Sequence, residues 1–188
     1  MNRVPKIYCD TSTLAPNIRD PRSQSELAAL KQLRVLHQQC KCTLLRSHIV
    51  KGELERTPDV SLREQLRADF DLLEGILNDE KLIGFNTVYD QYGGFTTNPL
   101  ISDIQDEKIF EEIYQEMKRR VAGAADFQMR RDAEHLTQAV CNECDIFLTR
   151  DYKTIIGPMR EWLETKYPPL KVRLPSEALA EIDQRPYA

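Results

Sequence analysis

Short apolar runs of strand type recur along this chain, each separated from the next by a longer stretch of helical character. The runs are KIYC (6–9), CTLLR (42–46), the candidate KLIGF (81–85), DIFLT (145–149) and KVRL (171–174). Strands alternating with helices build a parallel sheet covered on both faces. Between them, SELAALKQLRVLHQQ (25–39) places Leu27, Leu30, Leu33 and Leu36 close to the spacing of one helix face. Ser47 is placed to cap HIVKGELER, and Thr57-Pro58-Asp59 ends that helix. Further helices are predicted over 62–77, 107–121, 130–141 and 158–167. Pro168-Pro169 stops the last of these, and Pro175 opens a short final helix. Residues 86–103 carry Gly93-Gly94 and Asn98-Pro99 and show no sustained period, which reads as a loop or lid.

A length of 188 residues suits one domain, 1–188, with an insertion or lid expected at 86–128. Charged residues at 30% and hydrophobic residues at 41% fit a soluble globular protein. No apolar run approaches the ~20 residues of a membrane span, and the start MNRVPK has no signal-peptide core behind it. The expectation is a cytoplasmic protein without membrane contact. Reduced cysteines fit that compartment. The pairs Cys40/Cys42 and Cys141/Cys144 match zinc spacings poorly and read better as buried small hydrophobes.

The net charge of −4 argues against a cationic coat for nucleic acid. A bound divalent ion can still bring its own positive charge to a phosphate. Lys118-Arg119-Arg120 and Arg130-Arg131 read first as solvated helix faces that could assist. Neither glycine-rich nucleotide cradle, Gly-x-x-x-x-Gly-Lys-Ser/Thr or Gly-x-Gly-x-x-Gly, is present.

The stretch IYCDTSTL (7–14) ends a strand on a carboxylate and three hydroxyls. Asp10 is there either a helix cap or a ligand at the carboxyl end of a strand. Other acids fall at the same edge. Glu53 lies on the helix after the second strand, Asp132 on the helix leading into IFLT, and Asp151 two residues past that strand, after Thr149. Four converging carboxylates repel unless they share protons or hold a cation. Oxygen-only ligation suits Mg²⁺ or Mn²⁺. Of the neighbours, Glu55 is a rival to Glu53 on another helix face, His135 reads as a packed group rather than a ligand, and Asp145 as an orienting residue at its strand's start.

CDTSTL, SHIVKGEL, DAEHLTQA and DIFLTRD, in that order over residues 6 to 174, resemble the four motif blocks of the PIN domain, a nuclease fold. The resemblance implies a three-layer α/β/α fold with a central, mostly parallel sheet of about five strands. It implies metal-dependent cleavage of phosphodiester bonds, most often in RNA, leaving a 5′-phosphate and a 3′-hydroxyl. Carried over by position, it assigns Asp10, Glu53, Asp132 and Asp151 to an Mg²⁺ or Mn²⁺ site, with Thr149 as a polar neighbour. RNA is then the expected substrate, and a homodimer or an antitoxin-like protein partner stays open. The insertion at 86–128 separates this chain from compact toxin-type PIN proteins. Two alternatives stand beside that reading. One is a catalytically weak or inactive PIN-like module that binds RNA or protein. The other is a phosphatase of the haloacid dehalogenase type, disfavoured because Ser12 stands where its second Asp is needed. Within 86–128 and just before it, Phe85, Tyr89, Tyr92 and Phe95 are candidates for stacking on unpaired bases.

Overall fold

Residues 3–14, 21–75 and 104–184 are described by a computed structural model of the chain. Strand β1 (Lys6–Cys9) is followed by the short helix α1 (Thr11–Leu14), then α2 (Pro21–Gln38) and β2 (Thr43–Arg46). Helices α3 (His48–Glu55) and α4 (Val60–Asp71) lead to β3 (Glu74–Gly75). After α5 (Ile104–Arg120) and α6 (Asp126–Cys141) come β4 (Ile146–Leu148), α7 (Arg160–Lys166), β5 (Lys171–Arg173) and α8 (Pro175–Asp183).

The sheet runs β3-β2-β1-β4-β5 with every pairing parallel. Its side chains alternate between two cores, as the two-residue period of a strand requires. Ile7, Cys9, Leu44, Ile146 and Leu148 pack with Leu30, Leu33, Leu54, Leu66 and Ile182, from α2, α3, α4 and α8. Tyr8, Leu45, Phe147 and Val172 point the other way, to Ile113, Met117, Leu136 and Leu163 of α5, α6 and α7. Helices therefore cover both faces, and the α/β expectation holds at that level.

Two expectations need restating. The helix expected over 62–77 ends at Asp71, and Glu74–Gly75 pairs with Leu45–Arg46 as an edge strand. The strand expected at 81–85, the loop 86–103 and the four stacking candidates lie outside the described residues. Within 86–128, the described part is α5, its link and the start of α6. Phe110, Ile113, Tyr114 and Met117 of α5 are buried in the core beneath the sheet. Cysteines 9, 42 and 144 are buried, Cys141 is half-buried and Cys40 is exposed, so the buried-hydrophobe reading fails at Cys40. Asp145 does orient the start of β4: its carboxylate accepts from the Lys6 backbone N–H and from Arg3, both at 2.8 Å.

Strand order decides where a site can form. The chain builds outward from β1 to β2 and β3, then returns to lay β4 on the other side of β1. Ligand crevices in open α/β sheets form outside the carboxyl ends of the strands where the order reverses. Here that point lies between Cys9 and Leu148, which are paired in register.

Candidate functional site

The residues just past that point are Asp10 and Thr149. The Asp10 backbone N–H continues the ladder to Leu148 O at 3.0 Å, so the two side chains emerge side by side. Asp10 is 6% exposed. Its Oδ2 accepts hydroxyls from Ser12 at 2.6 Å and Thr149 at 2.7 Å. Ser12 in turn accepts the Arg150 backbone N–H at 2.9 Å, and the Arg150 Nε donates to Ser12 O at 2.9 Å. The backbone carbonyl of Asp10 starts the first turn of α1, accepting from Thr13 N at 3.0 Å and from the Thr13 hydroxyl at 2.6 Å. Asp10 thus begins the helix with its backbone and holds Ser12 and Thr149 with its side chain.

Glu53 arrives on α3, the helix that Ser47 caps by accepting from Val50 N. Its Oε2 takes the Thr11 hydroxyl and lies 3.2 Å from His135 Nε2. That is ion-pair distance, but Nε2 has no hydrogen-bond acceptor in line. His135 is 1% exposed, so an imidazole nitrogen is buried and aimed at a carboxylate. The other nitrogen, Nδ1, lies 2.7 Å from the Tyr8 hydroxyl, which is 2.6 Å from Ser47 Oγ. Burial alone disfavours charge on both partners; for His135 the charges of Glu53, Asp10 and Asp132 outweigh it, and for Glu53 those of His135 and Arg131 with the Thr11 hydroxyl do. Together these lower Glu53 below the usual carboxylate range and raise His135 above the usual imidazole range. With a protonated His135, Nδ1–H donates to Tyr8 and Tyr8 donates to Ser47, which also accepts from Val50 N; with a neutral ring accepting at Nδ1, Tyr8 donates to it instead. Glu55 turns to α4 and pairs with Arg67, its Oε1 accepting from Nε at 2.8 Å, which leaves Glu53 as the crevice acid.

Asp132 and Asp151 meet through one hydroxyl. Thr154 Oγ1 lies 3.0 Å from Asp132 Oδ2 and 2.6 Å from Asp151 Oδ2. Asp151 also caps the turn after β4, its Oδ1 accepting Lys153 N and Thr154 N at 2.8 Å each. That turn, Tyr152–Ile156, is π-helical, closed by Ile156 N to Asp151 O at 2.8 Å and Gly157 N to Tyr152 O at 3.1 Å. Single π turns are frequent at functional sites. Burial pushes Asp132 up to about 7, with the charges of Asp10 and Asp151 adding to it. Asp10 is raised too, by burial first and by Glu53, against the opposing pull of His135, Ser12 and Thr149.

Asp10, Glu53, Asp132, Thr149 and Asp151 are therefore linked through hydroxyls and His135 at the carboxyl ends of β1 and β4, brought there by β1, α3, α6, β4 and the π turn. Among the described residues, no three His, Cys, Asp or Glu side chains are arranged to hold a metal ion. Hydroxyls and His135 link the carboxylates instead. Sequence reasoning missed Thr11, Ser12 and Thr154 as partners of the acids, and Tyr8 as the partner of His135. The hydroxyl run after Asp10 was a visible signal; Tyr8 carried none, since a strand tyrosine reads as core.

No known protein family, curated protein or solved structure matches the chain.

Proposed function

We propose that the crevice belongs to a metal-dependent nuclease that cleaves single-stranded RNA. One observation carries this reading: a buried Asp10 stands at the topological switch point, with Thr149 bonded both to it and to the Asp151 backbone, and with Glu53 on the hydroxyl of the adjoining Thr11. Carboxylate oxygens are the donor type that a hard divalent cation takes. Binding one would require Asp10, Glu53, Asp132 and Asp151 to turn from their present hydroxyl and imidazole partners, since no three of them are arranged around one point. Burial first, and neighbouring carboxylates after it, raise Asp10 and Asp132, and a bound cation would offset both. Asp10 and Asp132 would hold Mg²⁺ or Mn²⁺, with Glu53 and Asp151 beside them. When bound, the ion supplies a polarised water and neutralises charge on the scissile phosphate. Thr149 and Ser12 hold the Asp10 carboxylate in place. Asp151 acts through Thr154, fixing the hydroxyl that bridges to Asp132. The Tyr8–His135 pair sets the direction of Glu53.

The test is cleavage of an end-labelled single-stranded RNA by purified protein with Mn²⁺ or Mg²⁺. Activity should vanish in chelator and in Asp132→Asn. Undiminished cleavage in excess chelator would remove the proposal.

A second reading is favoured by His135. An imidazolium facing Glu53 supplies the positive charge that an ion would otherwise bring, so the cluster can be neutralised without metal. The chain is then a PIN-like binding module with no hydrolysis. Binding of RNA without metal-dependent cleavage would select it.

A further inference from the structure

Among the buried polar side chains around the acids, His135 is set apart by its ring nitrogen Nε2, which is buried and makes no hydrogen bond. The other nitrogen is held. Nδ1 lies 2.7 Å from the Tyr8 hydroxyl, and that hydroxyl lies 2.6 Å from Ser47 Oγ. Tyr8 is itself buried and stacked on Phe147, with ring centroids 5.5 Å apart, so both rings are fixed. An imidazole that ligates a metal through one nitrogen is oriented by a hydrogen bond at the other.

Nε2 faces a carboxylate, Glu53 Oε2, at 3.2 Å. Either a proton or a cation can reconcile an imidazole nitrogen with a carboxylate oxygen. A shared proton lies in line with both atoms, and no such bond forms at Nε2. Two donors about 2.1 Å from one ion and roughly 100° apart stand about 3.2 Å from each other, the spacing of neighbouring ligands. Asp132 precedes His135 by three residues on α6, so a second carboxylate shares that helix face. The Glu53 side chain is 24% exposed beside the enclosed ring, which gives an ion an approach from its side.

We propose that His135 Nε2 joins the carboxylates as a ligand, with Glu53 beside it, of one first-row transition-metal ion taken in preference to Mg²⁺. Imidazole nitrogen suits transition ions, whereas Mg²⁺ takes oxygen donors and waters. The inference rests on the proposed function for the presence of a divalent ion. It names the class of that ion and the residue that selects it.

The probe is Mn²⁺ alone, added to the purified chain and read by pulsed electron paramagnetic resonance, which detects a bonded nitrogen as a hyperfine coupling. The wild type should show the coupling, and its pattern should change when histidine is supplied in the ¹⁵N form. The chain has three histidines; His37→Gln and His48→Gln should keep the coupling, and His135→Gln should lose it. Titration then gives a sign. His135→Gln should weaken Mn²⁺ binding and leave Mg²⁺ binding unchanged. Tyr8→Phe should weaken Mn²⁺ binding about 10- to 100-fold, the usual cost of losing the group that orients a ligating imidazole. Circular dichroism verifies the fold of each variant. Where His135→Gln does not fold, the isotope comparison in the wild type and the other two variants decides. A coupling in all three supports the ligand, and its absence from the wild type removes it.

Were His135 a positive counter-charge instead, its removal would tighten the binding of both ions, and that result would overturn the proposal. So would Mn²⁺ bound without nitrogen coupling, a coupling that survives His135→Gln, or no Mn²⁺ binding at all. The nuclease reading is judged separately by RNA cleavage. Nitrogen-coupled Mn²⁺ without cleavage keeps the ligand and removes the nuclease. Cleavage with an ion bound by oxygen alone does the reverse.

Discussion

Asp132 shows how one side chain carries the tension of the crevice. Its folded-state value near 7 lies above the ordinary 3.8, so the folded state holds a proton that the unfolded chain has released. The penalty is absent below about pH 4, grows as pH rises, and is complete above the shifted value. Asp132→Asn in chelator should therefore stabilise the protein at pH 8 by on the order of 2 kcal/mol, and at most about 4, with no gain at pH 4. Urea melts at the two pH values measure it, and an equal gain at both would show that neither burial nor its neighbours raise Asp132. The positions of such acids were legible because each follows a strand or sits on the helix beside one. Their partners were not. Thr149 bonds Asp10 across 139 positions and Tyr8 meets His135 across 127, distances over which no local pattern operates. Tyr8→Phe removes the hydroxyl between His135 and Ser47, leaving the buried Nδ1 of His135 unmet. The cost should be about 1–3 kcal/mol in the same melts. A neutral result would mean that the buried imidazole needs no partner at Nδ1.

Elements hold these side chains through short contacts that depend on backbone shape. The π turn is an example. A Cβ on Gly157 would stand 2.9 Å from the Tyr152 carbonyl that the Gly157 N–H itself reaches. Gly157→Ala must therefore loosen the turn that presents Asp151, Tyr152 and Thr154, at about 1–3 kcal/mol. Thermal melts test this, and an unchanged melting temperature would mean that the turn can shift without strain. Helix α4 illustrates why element boundaries escaped the sequence. LLEGIL after Asp71 keeps the apolar spacing of a helix, and nothing local forbids continuation. Yet Leu73 is buried, Leu72 is exposed, and the chain extends to give Glu74–Gly75 to the free edge of β2. Pairing with an open edge outweighed a modest helix preference. By contrast, α3 was readable, because Ser47 announces its start and Pro58 its end.

At the scale of the whole molecule, the return of the chain to β4 after β3 makes the crevice, and it sets Asp10 beside Thr149 through strand register alone. The alternation of strands and helices was enough to foresee a parallel sheet with two covered faces. It could not say how the charge of the assembled edge is balanced, since that depends on His135 arriving from a helix on the far side of the order reversal. Thermal melts of the wild type and Asp10→Asn, in chelator and with Mn²⁺, address that balance directly. Asp10 is raised by burial and by Glu53, so its charge costs stability at neutral pH and the neutral amide removes that cost. Ser12 and Thr149 can rotate their hydroxyls to suit an amide, so the change should preserve the local bonds. His135 already offsets part of the repulsion, which limits the expected gain in chelator to about 1 kcal/mol, or roughly 2–4 °C for a chain of this size. The wild type should gain about 2.7 kcal/mol from Mn²⁺ at a hundredfold excess over its dissociation constant, and Asp10→Asn should lose most of that gain. A variant destabilised in chelator and still fully stabilised by Mn²⁺ would make Asp10 a helix-starting residue only. If neither protein responds to Mn²⁺, His135 is the counter-charge of the acids, and the crevice binds without cutting.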